Sequence, residues 1–518
     1  MNRARYLETG LSLSIVMTSA SCYLPTMRLF TDTLLLPKWY CCAFFVSWVA
    51  VFHTFAKLRH APVRSCHCLD IASASFVIAT STECLYVLTL ALMNGVPSVG
   101  ALGTFDNPAG LALNLCVAIP LGVHLAWRCG GRKVVRWLYV VMCLLMVATL
   151  CLTKSRTGMI CLMLYLMVYL YRGLLRVHIS SRAKRLVFAM LTLCLSVGGI
   201  FGVSQQKAFS TSGRSFILQR SWELIREHPF IGHGVNGFER EYMQCQAKFF
   251  KAHPTSKYAI LADEVHHPLN EFVYLWVNYG VLAPTILLGV MAMPYIAFVR
   301  CSCKTIKPLL LPLFSVFLFS CFSYPFHYPV AWIIMAICLG TIIRSGGRFL
   351  RYVLLLASVA TIAYTVVDAT YECRWNKAYR HSFRELNPIV LEEYEALHGY
   401  MQRNHHFLYN YAMTAFLAHD NGRAYALVAE CGNLWNGYNR ELLAGDICRK
   451  GQRYAEAICH YEQAMYMCPV RFAPLEGLYK TYEVTGDRNN KEHIAQIIAA
   501  KEVKVHSPTI QRIKNDYQ

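Results

Sequence analysis

Charge is scarce in this chain, and acid is scarcer than base. Of 518 residues, 15% are charged, with 30 acidic against 50 basic side chains, whereas 55% are hydrophobic. Mean hydropathy is +0.34. With long uncharged runs through the first two-thirds, that balance excludes both a soluble globular protein and a disordered chain. The soluble-hydrolase patterns G-x-S-x-G and H-E-x-x-H are missing. So is a signal-peptide cleavage pattern, and the first apolar run is expected to stay as a membrane helix. The 22 cysteines lie mostly inside apolar runs, as at Cys41, Cys42, Cys143, Cys151 and Cys161, where they read as small hydrophobes. Cys66-x-Cys68 and Cys301-x-Cys303 have no second His/Cys pair at zinc spacing, so no metal is expected. Cys431, Cys448, Cys459 and Cys468 in the tail fit no disulfide framework and read as buried helix packing.

What is present is a basic surplus in a particular place. From Asp368 onward 18 basic residues balance 18 acidic ones, so the net charge of +20 belongs to the first 367 residues. It sits in short loops between apolar segments, which argues against nucleic acid and for membrane topology. Segments long enough to cross a bilayer fall near 9–25, 38–56, 70–93, 109–127, 134–152, 156–172, 185–203, 272–299, 308–324, 327–343 and 349–367. The predicted fold is therefore all-α: a polytopic bundle of about eleven transmembrane helices over 1–367, then a soluble helical-repeat domain over 368–518. Basic residues fill every second connection (Lys57 to Arg64, Arg128 to Arg136, Arg172 to Arg185, Arg300 to Lys307, Arg344 to Arg351), and none occurs in 94–108 or 324–328. The alternation puts the N-terminus in the cytoplasm, and a large hydrophilic loop at about 204–271 and the tail outside, in the periplasm of a bacterial inner membrane. Glu83 is the main ionisable group in mid-membrane and is expected to pair within the bundle.

The tail is repetitive. Gly445, Ala457, Tyr461, Ala464 and Pro469 follow the small/large spacing of a tetratricopeptide repeat, with Gly451 and Tyr454 at the inter-helix turn. Cys448 stands where that pattern prefers an aromatic. Poorer copies flank it at about 406–437 and 472–503. Such a surface suits a polypeptide or periplasmic protein partner, or serves as a spacer packed on the membrane domain.

Several residues have chemistry to offer. Lys154-Ser155-Arg156-Thr157-Gly158 separates two apolar runs with almost no loop, which holds Arg156 at a membrane face, either for use or as a snorkelling side chain. In the external loop Ser212-Gly213-Arg214 precedes an amphipathic stretch through Arg220, Trp222 and Arg226. Its arginines fit an anion or a solvated helix face. Next, Gly232, Gly234 and Gly237 suggest a tight turn, with a backbone anion cradle as one reading. It is not a nucleotide loop, since no Lys-Ser/Thr follows it. The loop closes on His266-His267-Pro268-Leu269-Asn270-Glu271-Phe272, running into Val273 to Gly280. Without a third ligand the two histidines suit acid/base or hydrogen-bonding work better than metal, or are surface residues.

In order along the chain, Thr104-Phe105-Asp106-Asn107-Pro108, Ser155-Arg156-Thr157-Gly158, Gly213-Arg214, Trp222, Pro229-Phe230-Ile231-Gly232-x-Gly234 and Asn270-Glu271-Phe272 to Tyr279-Gly280 resemble the O-antigen ligase/polymerase superfamily of bacterial membrane glycosyltransferases. The resemblance covers about 70–345, and the tail is similar to extended members from Bacteroidetes-type bacteria. It implies a polyprenyl-diphosphate-linked glycan donor in the outer leaflet, neither cofactor nor metal, and inversion at the sugar. On that basis Arg156 and Arg214, with Arg220 in reserve, are expected to neutralise the leaving diphosphate through bidentate hydrogen bonds. His267, then His266 or Glu271, is expected to take the acceptor's proton, and Asn270 and Trp222 to contact substrate. Ligases of the family commonly place a histidine directly before the exit Asn, where this chain has Leu269. The acceptor is open between lipid A-core, a second lipid-linked glycan and a protein hydroxyl. A membrane-anchored periplasmic scaffold and a transporter are the readings from other classes.

Overall fold

A computed structural model describes residues 2–58, 65–129, 131–176, 208–301, 304–342, 348–386, 388–503 and 507–517. Among these there are 21 α-helices and no strand, as the sequence predicts. The expected span at 185–203 lies outside the described residues. The chain divides into two compact units, 1–206 with 286–373, and 207–285 with 374–518.

The first unit holds α1 (Asn2–Ser21), α2 (Leu36–Leu58), α3 (Ser65–Asn94), α4 (Pro108–Arg128), α5 (Lys133–Leu152), α6 (Arg156–Arg176), α11 (Leu310–Phe322) and α12 (Pro329–Ile342), with most of α10 (Leu282–Cys301) and of α13 (Arg348–Ser382). Six described helices are long and apolar enough to cross a membrane, at 36–56, 67–94, 108–128, 133–152, 282–300 and 351–382. Shorter apolar helical stretches cover 156–171, 306–322 and 329–341. Helix α4 is central: 83% of its most apolar window is buried, against 39% or less in the other five. Its start is written locally. The Asn107 side chain accepts from Ala109 N at 2.9 Å, and Pro108, which has no amide hydrogen to satisfy, opens the first turn.

The loop before α4 is fastened from below by a buried cation. The Lys38 ammonium, wholly inaccessible, donates to the carbonyls of Leu24, Leu34 and Thr104 at 2.8, 2.9 and 2.7 Å. Glu83 Oε1 accepts from Thr104 N at 2.7 Å, so the partner of this carboxylate is a backbone amide. A charge in an apolar interior is tolerable only when every donor is used, and all three are. Above this clamp, Asp106 accepts from Tyr328 Oη at 3.0 Å and Asn107 Nδ2 donates to Tyr324 Oη at 2.7 Å.

The second unit gathers α7 (Ala208–Glu227), α8 (Gly237–Ala252) and α9 (Glu271–Tyr279) with the tail helices α14 (Pro388–Met401), α15 (His405–Leu417), α16 (Asn421–Gly432), α17 (Tyr438–Lys450), α18 (Tyr454–Met467), α19 (Ala473–Thr485), α20 (Arg488–Ala500) and α21 (Pro508–Asp516). Loop and tail share one core: Phe238, Tyr242 and Met243 pack with Tyr438, Ala464 and Met467. Polar ties reinforce it. Gln246 Nε2 donates to the carbonyls of Asp263 and Met467 at 3.1 and 2.6 Å, and Arg471 meets Asp263 at 2.7 Å. Within the tail, a Cβ added at Gly445 or Gly477 would strike the buried Tyr461 ring at 2.7 or 2.5 Å. Small residues on two helices thus make room for one aromatic. Cys431, Cys448 and Cys468 are buried and Cys459 is exposed.

One expectation needs correction here. The apolar run at 272–299 is not one helix: α9 ends at Tyr279 and α10 starts at Leu282, with Gly280 between them at φ +73°. Glycine is needed at the break because the Phe230 carbonyl occupies the space a Cβ at Gly280 would need. The last apolar run, at 349–367, lies within α13, which continues as helix through the polar residues that follow to Ser382.

Candidate functional site

In the first unit, α5 and α6 are joined by three residues. Lys154 takes a left-handed conformation (φ +51°) and its ammonium reaches the carbonyls of Pro97 and Ser98 at 3.3 and 3.4 Å. Ser155 Oγ accepts from Gly158 N at 3.3 Å and so caps α6. Arg156 is consequently the first residue of that helix and half-buried. A guanidinium here adds its charge to the positive end of the helix dipole, an unfavourable pairing unless an anion is bound there.

In the second unit, Ser212, Gly213 and Arg214 lie inside α7 rather than before it, and Arg214 is exposed. One and a half turns on, Arg220 is differently placed. Its Nη1 meets Glu223 at 2.8 Å, and its guanidinium carbon lies 4.3 Å from the Phe249 ring centroid. Its charge is therefore balanced and its face covered, which suits holding α7 to α8 better than catching a diphosphate. Trp222 is exposed and stands edge-on to Trp276, with ring centroids 5.6 Å apart.

The glycine turn does not cradle an anion. Its amides point inward: Gly232 N donates to His228 O (3.0 Å), His233 N to Val277 O (2.8 Å) and Gly234 N to Asn278 O (2.8 Å). Asn278, wholly buried, accepts from Phe238 N at 2.8 Å. The glycines are there because two backbones run in contact: a Cβ at Gly232 would sit 2.5 Å from the Asn278 carbonyl.

This pairing positions the exit motif. Asn270 caps α9, its Oδ1 accepting from Val273 N at 3.0 Å. Leu269, at φ +57°, takes a strained left-handed turn, and its amide donates to His267 Nδ1 at 2.9 Å. A neutral His267 therefore carries its proton on Nε2, which faces Glu271 Oε2 at 3.7 Å. The ring also stacks on Tyr274, with centroids 4.7 Å apart. Glu271 is 7% exposed, its Oε2 has no hydrogen-bond partner, and burial pushes its pKa up to about 8. The two adjacent histidines face different neighbours. His266 is exposed and lies near Glu239 and Glu264, whose pKa values are raised by burial and partly drawn back by this imidazole. Glu239 in turn accepts from Tyr274 Oη at 2.8 Å. Sequence reasoning missed Glu239 and Asn278 as supports; each is fixed by a contact distant in the chain, and no local spacing signals it. Among the described residues no group of three or more His, Cys, Asp or Glu is arranged to hold a metal ion.

Fold and site together define a helical membrane protein with several apolar helices long enough to span and a second compact helical unit. Residues 141–288 match the family model described as O-antigen ligase, which supports the O-antigen ligase superfamily for this stretch. No curated protein matches the chain. The matched segment contains all eight candidate residues, Arg156, Arg214, Arg220, Trp222, His266, His267, Asn270 and Glu271, and suggests a function of the O-antigen ligase or polymerase type.

Proposed function

We propose that the protein transfers a glycan from a polyprenyl diphosphate to an acceptor hydroxyl at the periplasmic face of the bacterial inner membrane. The observation that carries this reading is the family match over the segment holding the candidate arginines and the His267–Glu271 pair. The acceptor oxygen attacks the anomeric carbon, the bond from that carbon to the diphosphate oxygen breaks, and the diphosphate leaves on its lipid. Arg156 and Arg214 balance the charge that develops on the leaving group, a task to which a planar guanidinium suits both oxygens of a phosphate. Glu271 takes the acceptor's proton. A carboxylate with its pKa raised by burial is a stronger base than an exposed one, and His267 faces it with an N–H rather than a lone pair. This exchanges the order expected from sequence, in which His267 came first. The leaving group is already activated, so the reaction calls for neither cofactor nor metal.

Lipid A-core is the leading acceptor class. A protein hydroxyl is the second reading, favoured by one observation: the tail, which we read as tetratricopeptide-like and periplasmic, is built into the same compact unit as the exit motif. Deletion in the native host, followed by separate gels of lipopolysaccharide, capsule and glycoproteins, tests both. Loss of the lipopolysaccharide ladder supports the first reading, and loss of glycoprotein bands the second. Three unchanged patterns would leave an inert anchor for the tail. Purified protein treated with chelator is expected to keep full transfer activity; loss restored by a divalent ion would refute the metal-free route.

A further inference from the structure

The turn between α7 and α8 leaves apolar side chains in the open. Phe230, Ile231 and Val235 are 75%, 84% and 69% exposed, an arrangement that costs free energy in water. The turn is not loose. Besides the amide pairs with Val277 and Asn278, Val281 N donates to Pro229 O at 3.1 Å and Trp276 Nε1 to the same carbonyl at 2.9 Å. Left-handed backbone at Gly232, Gly234 and Asn236 sets its shape. Little conformational freedom remains to be lost when these side chains are covered.

The bonds also link it to the start of an apolar helix. Val281 is the residue immediately before Leu282, where a 19-residue apolar stretch long enough to span a membrane begins. A turn hydrogen-bonded to residues 277–281 is therefore tied to the residues directly before that stretch. Leu282 itself is 67% exposed. Beside the turn stand Trp222 and Tyr279, 44% and 45% exposed, the two residue types that collect at the level of lipid head groups.

We infer that the Pro229–Val235 turn is a membrane-dipping wedge whose Phe230 and Ile231 insert among the lipids surrounding the α10 entry point. Its occupant is phospholipid, because the feature that fixes the turn is continuous with the start of a spanning helix. The wedge seats the short helix α9, and with it Glu271, at a set distance from the bilayer surface through the same hydrogen bonds.

The test is photocross-linking of the full chain in nanodiscs of phosphatidylethanolamine and phosphatidylglycerol. Phe230 is replaced by p-benzoylphenylalanine, and in separate samples Ile231 or Val484, the last a 59%-exposed tail residue serving as control. On irradiation, the peptides carrying positions 230 and 231 are expected to gain the mass of one phospholipid at least about tenfold more often than the peptide carrying position 484. If position 230 disturbs folding, position 231 gives the same reading. Cross-links from 230 and 231 to this chain or to another protein, or phospholipid adducts no more frequent than at 484, would overturn the proposal. The readout is a mass and not glycan transfer, so its failure is separate from failure of the proposed activity.

Discussion

A carboxyl group half-ionised near pH 8 has opposite effects on turnover and on folding, and Glu271 is expected to show both. Turnover needs the ionised form, so the rate is expected to climb with pH and level off above about 8. Stability runs the other way. The folded pKa lies above the ordinary 4.5, so the folded state holds its proton more tightly than the unfolded chain does. The stabilisation this provides is complete below pH 4.5 and is lost as pH rises through about 8. Thermal unfolding in detergent between pH 5 and 9 is expected to show a falling midpoint, with a slope of at most about 1.4 kcal/mol per pH unit from this group. Glu271→Gln should flatten the slope while lowering transfer about 10²–10⁴-fold. His267→Ala should lower transfer about as much, and the double variant hardly more than either, because the two act as a pair; additive losses measured in the same assay would dissolve the pair. Arg156→Lys and Arg214→Lys each keep the charge but lose the planar fork, and each is expected to lose most activity while inserting normally. Arg220→Lys, by contrast, should affect stability more than transfer, since its guanidinium is committed to Glu223 and Phe249.

The helices divide by how local their causes are. Helix α4 was legible because Asn107 and Pro108 announce its start in adjacent residues, and α6 because Ser155 caps it at once after α5. The break at Gly280 was not legible. Apolar residues run through both sides of it, and the group that requires glycine there, the Phe230 carbonyl, comes from another part of the loop. The same contact hid the purpose of the glycines, which looked like an anion turn and are a backbone pairing. The cost of disturbing it is predictable. Gly280→Ala meets both a left-handed φ and an occupied space, so it should detach the turn from α9 and make 228–236 sensitive to protease. Gly234→Ala also sits at positive φ (+86°) but has open space around it, and is expected to cost only about 1–3 kcal/mol and leave the protease pattern unchanged. Identical patterns from the two variants would show that contact with Phe230 is irrelevant. Of the site, residue types and order were readable from sequence; the direction each histidine faces was not, because the left-handed turn at Leu269 decides it.

For the whole molecule, the placement of basic residues predicts the topology. A reporter fused after Gly346 is expected to be cytoplasmic and one fused at the C-terminus periplasmic, checked by paired phosphatase and fluorescent-protein fusions. Cytoplasmic activity of the C-terminal fusion would remove the glycan-transfer chemistry from its face of the membrane. The grouping of residues 207–285 with the tail was beyond sequence reading, for Tyr242 and Met467 look like ordinary apolar positions until they meet. Their shared core also bears on synthesis. Gln246 waits for a partner 221 residues further along, the Met467 carbonyl. At about 5–20 residues per second that is roughly 10–45 s in which Phe238, Tyr242 and Met243 have left the ribosome with nothing from the tail to cover them. The nascent loop is thus a client for holding factors on whichever side of the membrane it emerges, and a ribosome stalled before α17 would leave that client permanently unsatisfied.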